Sequence, residues 1–151
     1  MLAASLGLAI AYTPPRLRVP AIAIFCGAAL ALAFAPFPSD LVEFVFLASW
    51  AVVIVACASV HLRRGLLPRM AIALALIGGA LAGGLVALAG SPNDLVVALP
   101  CTFLAFPAAW LVASGRGIAV KIVSSWLIAI ALLSAALPLT PTPGYEPDHM
   151  E

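Results

Sequence analysis

The chain has 151 residues, of which 65% are hydrophobic and 9% charged, and its mean hydropathy is +1.21. Soluble domains are about half apolar and about a quarter charged, so a water-soluble fold could not hide this much apolar surface. The net charge of +1 and the absence of a basic stripe exclude a nucleic-acid-binding surface. The composition therefore predicts a chain whose apolar excess faces a lipid bilayer.

The first apolar run, Leu2 to Thr13, is too short to cross a bilayer, since about 20 helical residues are needed to span about 30 Å of hydrocarbon. It fits a tilted or half-inserted helix, or the remaining part of a segment whose first residue is incorrectly assigned. Ala9-Ile10-Ala11 also has the form of a signal-peptide cleavage site, although no Lys or Arg precedes the run. We expect a short helical segment here.

Five later apolar runs are long enough to cross the bilayer. They are Val19 to Pro36, Leu41 to His61, Met70 to Gly90, Leu95 to Ser114 and Ile118 to Pro138. The links between them are short, which favours antiparallel neighbours. The sequence therefore predicts an all-α fold: a polytopic transmembrane helical bundle over residues 1–139, with five full spans plus a short N-terminal sixth segment.

The charged residues separate by sign along the chain. Basic residues lie at alternate links: Arg16, Arg18, Arg63, Arg64, Arg69, Arg116 and Lys121. Acidic residues lie in the other turns and the tail: Asp40, Glu43, Asp94, Glu146, Asp148 and Glu151. Because short loops rich in Arg and Lys stay cytoplasmic, we expect the Arg loops inside and the C-terminus outside. The chain contains six Arg against one Lys and many Ala residues, a composition that suggests a GC-rich bacterial genome. We therefore expect a bacterial inner membrane.

Two acidic turns resemble helix starts. Asp40 with Glu43, and Ser91 with Asp94, have the spacing of an N-cap followed by an acid at the third helical position. The segments 38–42 and 92–96 are also similar to each other, which fits either a duplicated helical hairpin or a shared capping pattern. These acids therefore cap helices or form a weak cation-attracting rim.

The stretch IGGALAGGL contains Gly78, Gly79, Gly83 and Gly84 inside an apolar run. It lacks the Lys and Ser or Thr of a phosphate-binding loop. Residues four apart share a helix face, so these glycines and the intervening alanines leave that face nearly bare. We expect helix packing here, at the centre of the bundle or at an oligomer seam, with a hinge as the alternative.

Pro100 and Pro107 interrupt the fourth full span, with Thr102 beside the first break. Each proline removes a backbone donor, and broken helices near the middle of a membrane form binding sites in transporters. These three residues are therefore a candidate permease site, with a simple kink as the alternative. Trp50 and Trp126 lie far from the span ends, where they are expected to fill space opposite the glycines or to stack on a ligand.

The sequence offers no catalytic, metal or cofactor set. No charge lies near the centre of a span, and His61 and His149 are predicted on opposite sides of the membrane. The serines have no partner base in a known motif. Residues 140–151 form a Pro-rich acidic tail able to reach a partner. We therefore expect a protein that is not an enzyme: a non-catalytic subunit or assembly factor of a larger membrane complex, bound to other membrane subunits or to itself. The alternative is a small oligomeric permease.

Overall fold

A computed structural model of the chain describes residues 1–62 and 65–137. Within these ranges the fold is all-α, and five helical stretches are long and apolar enough to cross a membrane. The chain is thus a multi-pass membrane protein, and the predicted helical bundle with a short N-terminal segment is confirmed. Arg63, Arg64 and the predicted tail at 140–151 lie outside the described residues.

The helices follow the apolar runs closely. Helix α1 covers Leu2–Ile10, α2 Pro15–Ala33, α3 Val42–Ser59, α4 Pro68–Ala89, α5 Pro92–Ala98, α6 Ala105–Ala113 and α7 Gly117–Ala136. A 3-10 turn at Ser39–Leu41 precedes α3, and a 3-10 segment at Leu99–Leu104 joins α5 to α6. We call α5, this segment and α6 together the broken span.

Successive spans alternate in direction, so the described charges collect at two ends of the bundle. The basic end carries Arg16, Arg18, Arg69 and Arg116, with Lys121 one turn into α7, and the acidic end carries Asp40, Glu43 and Asp94. Helices α2 and α4 run parallel, because Gly79 lies beside Phe25 and Gly83 beside Ala29. Helix α3 packs antiparallel to α4.

The short helix α1 occupies the centre of the bundle. It supplies Leu6 and Ile10 to the apolar cluster formed with α2 and α4. Leu8 joins a second cluster with α3, α6 and α7, and Leu2 packs near Val53 in a third. Ile10 is fully buried and Leu6 is 2% exposed. The N-terminal segment is therefore a half-span surrounded by protein. Cleavage after Ala11, at the predicted signal-peptide site, would remove its side chains from all three apolar clusters.

The outer faces of the spans are apolar and exposed, as expected for surfaces in lipid. In the most apolar stretch of 18 residues in each helix, 39% of the residues of α4 are buried but only 17% of those of α7. Trp126 on α7 is 70% exposed. Helix α4 is therefore an interior element of the bundle, whereas α7 lies at its edge.

The two acidic turns fold differently. Ser91 and Asp94 form a reciprocal capping box at the start of α5, where the Ser91 backbone N–H donates to Asp94 Oδ2 at 2.7 Å. That predicted cap is confirmed. Asp40 instead lies in the 3-10 turn, and α3 begins after Leu41 without a side-chain cap, so the predicted Asp40 cap is wrong. A shared capping pattern therefore does not explain the similarity of the two segments.

Candidate functional site

The glycine face of α4 lies against the backbone of α2. A Cβ atom added at Gly79 would overlap the carbonyl oxygen of Phe25, and one added at Gly83 would overlap that of Ala29. Only glycine permits this approach, since the obstructing atoms are main-chain atoms that a side-chain rotation cannot move. These two glycines set the distance between α2 and α4.

Gly78 and Gly84 border the same face and meet side chains. A Cβ at Gly78 would lie 3.6 Å from the Phe25 ring, and one at Gly84 would lie 3.6 Å from Val45 Cγ1. The aromatic ring beside this part of the glycine face is therefore that of Phe25, from α2. Helix α4 continues without interruption through all four glycines. The structure thus places the glycine face inside the bundle.

The broken span has its irregular segment at the first proline. The helix changes from α to 3-10 at Leu99, directly before Pro100. Pro107 is the third residue of α6, which follows the 3-10 segment with no residue between them. Both prolines are exposed on the outer surface, whereas Thr102 is fully buried and its hydroxyl donates to the Leu99 carbonyl at 2.7 Å. The structure therefore does not bring the three residues into one site.

Helix α1 packs directly onto this irregular segment through Gly7. A Cβ at Gly7 would lie 3.0 Å from the Thr102 carbonyl oxygen and 3.2 Å from the Ala105 nitrogen. The sequence carries a signal for this contact, because Ala3, Gly7 and Ala11 form a small-residue row with the same spacing as in α4.

The two ends of α1 differ in how their backbone groups are satisfied. At the C-terminal end, Thr13 Oγ1 donates to the Ile10 carbonyl at 2.6 Å and Arg18 Nη2 donates to the Ala11 carbonyl at 3.3 Å. A cation also complements the negative end of a helix dipole. The Tyr12 hydroxyl adds a bond to the Gly117 carbonyl at 3.2 Å. This end of α1 is therefore anchored at the basic end of the bundle.

At the N-terminal end of α1, no side chain caps the helix. The first-turn N–H groups point along the helix axis and find no intrahelical partner, which makes this end a positive, donor-rich surface. Leu2 shares an apolar cluster with Val53, the twelfth of the eighteen residues of α3, whereas Met1 is 53% exposed.

A cavity of about 280 Å³ lies between the start of α1 and the acidic end. Its wall is almost entirely apolar and comprises Met1, Leu2, Ala3, Phe25, Phe46, Ser49, Trp50, Val53, Ala82, Leu85, Val86, Asp94, Leu95, Ala98 and Leu99. None of Pro100, Thr102 and Pro107 is among them. The cavity is the candidate binding site of the described structure.

Trp50 and Trp126 occupy different environments. Trp50 lines the cavity, packs edge to face with Phe46 at a centroid distance of 5.9 Å, and has a buried indole nitrogen without a hydrogen-bond partner. Trp126 faces outward and is 70% exposed. The prediction that Trp126 packs inside the bundle is therefore wrong. Trp50 lines the cavity, so stacking on a ligand stays a prediction for Trp50 alone.

His61 joins α3 to α7. Its Nδ1 lies 3.2 Å from the Cys57 carbonyl oxygen, which can only accept, so Nδ1 carries a proton, and its Nε2 lies 3.1 Å from the Ser125 hydroxyl oxygen. Both ring nitrogens thus have structural partners. Among residues 1–62 and 65–137, no three His, Cys, Asp or Glu side chains come together as a metal site. His149 lies outside the described residues.

Comparison of the chain with protein-family models, with curated proteins and with solved structures finds no match.

Proposed function

We propose that this chain is a protein of a bacterial inner membrane, with its basic end in the cytoplasm and its C-terminus outside. The supporting observation is the separation of charge between the two ends of the bundle, since Arg-rich short loops are retained in the cytoplasm. In a background without native cysteines, Asp40→Cys should react with an impermeant maleimide added outside intact cells. Arg116→Cys should react only after permeabilisation. The reverse pattern would refute the orientation.

Within that membrane, we propose that the chain is a non-catalytic subunit or assembly factor of a larger complex. The observation that carries this proposal is the outer face of α7, where Ile118, Ile122 and Trp126 follow one another at intervals of four residues. All three are exposed by more than 60%, at 71%, 64% and 70%.

Trp126 is the tenth of the twenty residues of α7 and therefore lies about 15 Å from either end of the helix. Tryptophan favours the membrane interface, where its indole N–H meets polar groups. At mid-depth in lipid that donor has no acceptor, and within the described part of the chain it makes no hydrogen bond. A helix of a partner subunit laid along α7 would cover the ring and supply an acceptor.

The test is purification of the tagged full-length chain in a mild detergent. We expect foreign membrane subunits in stoichiometric amounts, and we expect Trp126→Leu to lose them. The matched control is Trp110→Leu, because Trp110 is also exposed, at 62%, but lies near the basic end of its helix. Recovery of the chain without partners, or equal loss in both variants, would contradict the subunit proposal.

The cavity favours a second candidate function, a small oligomeric permease. The position of α1 opposes this function, because α1 fills the basic half of the bundle and would block a path through it. Gly7 also holds α1 in backbone contact with the broken span. Transport requires α1 to move. In a cysteine-free background, Ala3→Cys should be labelled only from the acidic end if α1 is fixed, and from both ends if the protein alternates as a permease.

A further inference from the structure

A second, open space of about 330 Å³ lies on the outer surface between α3 and α7. We call it the lateral groove, and it is lined by Ala58, His61, Ser125 and Ile128. Ala58 and Ser125 are small and exposed, so the two helices leave room between them at this level. The lateral groove shares no residue with the internal cavity, and it opens toward the surroundings of the bundle.

The lining of the lateral groove changes from polar to apolar with distance from the basic end of the bundle. His61 follows the end of α3 at that side, and its Nε2 lies 3.1 Å from the Ser125 hydroxyl oxygen. Ala58 on α3 and Ile128 on α7 each lie about one turn further from the basic end. A phospholipid has the same order along the membrane normal, because its phosphate lies at the surface and its acyl chains lie below.

The charge beside the lateral groove is positive. Lys121 lies one helical turn before Ser125, on the same face of α7 and nearer to the basic end. Helix α7 contains no acidic residue, and Glu43, the acid of α3, lies in the first turn of that helix at the opposite end. Within the described part of the chain, Lys121 makes no hydrogen bond or ion pair. Its ammonium is therefore available to an anionic group at the membrane surface.

We propose that the lateral groove binds an anionic phospholipid of the leaflet at the basic end. Lys121 Nζ pairs with the phosphate, and the Ser125 hydroxyl donates to a phosphate oxygen when His61 Nε2 holds a proton. One acyl chain follows Ala58 and Ile128 toward the middle of the bilayer. A zwitterionic lipid is bound less well, because its own cationic group competes with Lys121 for the phosphate. The inference needs only the multi-pass fold and holds for either orientation of the bundle.

The experiment is native mass spectrometry of the full-length chain, released from mixed micelles with equal amounts of phosphatidylglycerol and phosphatidylcholine that carry the same acyl chains. We expect the chain to retain phosphatidylglycerol about fivefold more than phosphatidylcholine, the factor for one lysine near a membrane surface. Glycerophosphoglycerol, the same head group without acyl chains, should not displace the bound lipid at equal concentration. Equal retention of the two lipids, or displacement by the free head group, overturns the proposal.

Two pairs of variants locate the site. Lys121→Ala should lower the preference for phosphatidylglycerol about fivefold, whereas Arg69→Ala, which removes an exposed charge at the same end outside the groove, should not. Ala58→Phe fills the groove and should lower lipid retention at least about tenfold, whereas Ala73→Phe, on an exposed face of α4, should leave it unchanged. If Ala58→Phe does not fold, Ser125→Leu narrows the same groove. An unchanged preference in Lys121→Ala, an equal loss in Arg69→Ala, or wild-type retention by the folded groove variant overturns the proposal.

Discussion

The contact between Gly83 and the backbone of α2 predicts that Gly83→Ala destabilises the bundle, which is the opposite of the usual effect of Gly→Ala in a helix. At an exposed helical glycine this change stabilises, because glycine costs up to about 1 kcal/mol relative to alanine. At Gly83 the added Cβ would overlap the Ala29 carbonyl oxygen and lie 3.0 Å from the Ala33 nitrogen. Both obstacles are backbone atoms of α2, so the two helices must separate.

Overpacking of this kind costs about 1–3 kcal/mol, which exceeds the propensity gain. We therefore expect Gly83→Ala to lower the free energy of unfolding by about 1–2 kcal/mol. The matched control is Gly27→Ala in α2, where an added Cβ meets nothing within 4 Å. That variant should be neutral or stabilised by up to about 1 kcal/mol.

The assay is unfolding in mixed micelles of increasing SDS content, followed by circular dichroism. If Gly83→Ala and Gly27→Ala shift the transition equally, the backbone contact between α2 and α4 does not hold the bundle together.

Gly7→Ala should destabilise the fold by about 1–3 kcal/mol in the same assay, because its Cβ also meets backbone, and a stabilised variant would contradict the central position of α1. Ser91→Ala should cost about 0.5–2 kcal/mol through loss of the capping box, with Ser114→Ala, at an exposed helix end, as the near-neutral control; equal effects would contradict the cap. Burial raises the pKa of Tyr12 above its ordinary value of 10.0, so folding favours the protonated phenol and stability should fall as pH rises above about 10. Tyr12→Phe removes both the titrating phenol and its hydrogen bond to the Gly117 carbonyl, so the loss of stability above about pH 10 should be weaker in this variant. If stability falls with pH equally in the variant and the wild type, Tyr12 is not the group responsible.

The helices and the packing glycines could be predicted from local features of the chain. A run of about 20 apolar residues fixes a span by length alone, and Gly79 and Gly83 share a face through helical periodicity. The capping box was predictable because Ser91, Pro92 and Asp94 are neighbours in sequence. The same reasoning is wrong at Asp40, where a 3-10 turn intervenes before α3.

The site was harder to predict because its parts come from distant segments. The cavity wall combines residues of α1 with Phe25, Trp50 and Leu85, each from a different helix. Proline, by contrast, shows where a helix breaks but not which way its neighbours face, and both Pro100 and Pro107 point outward. Trp126 shows the same limit, since mid-span tryptophans can face protein or lipid.

Membrane insertion, the number of spans and the two ends where charges collect are readable from the chain alone, because they follow from the transfer of apolar side chains and from charge at span ends. The central position of the shortest segment, by contrast, is visible only in the folded bundle. Helix α1 is too short to cross, yet its small-residue row lets it approach the broken span, and its capped end anchors it at the basic end. Its uncapped end then forms the floor of a cavity, because a helix of nine residues cannot fill the full depth of the bundle.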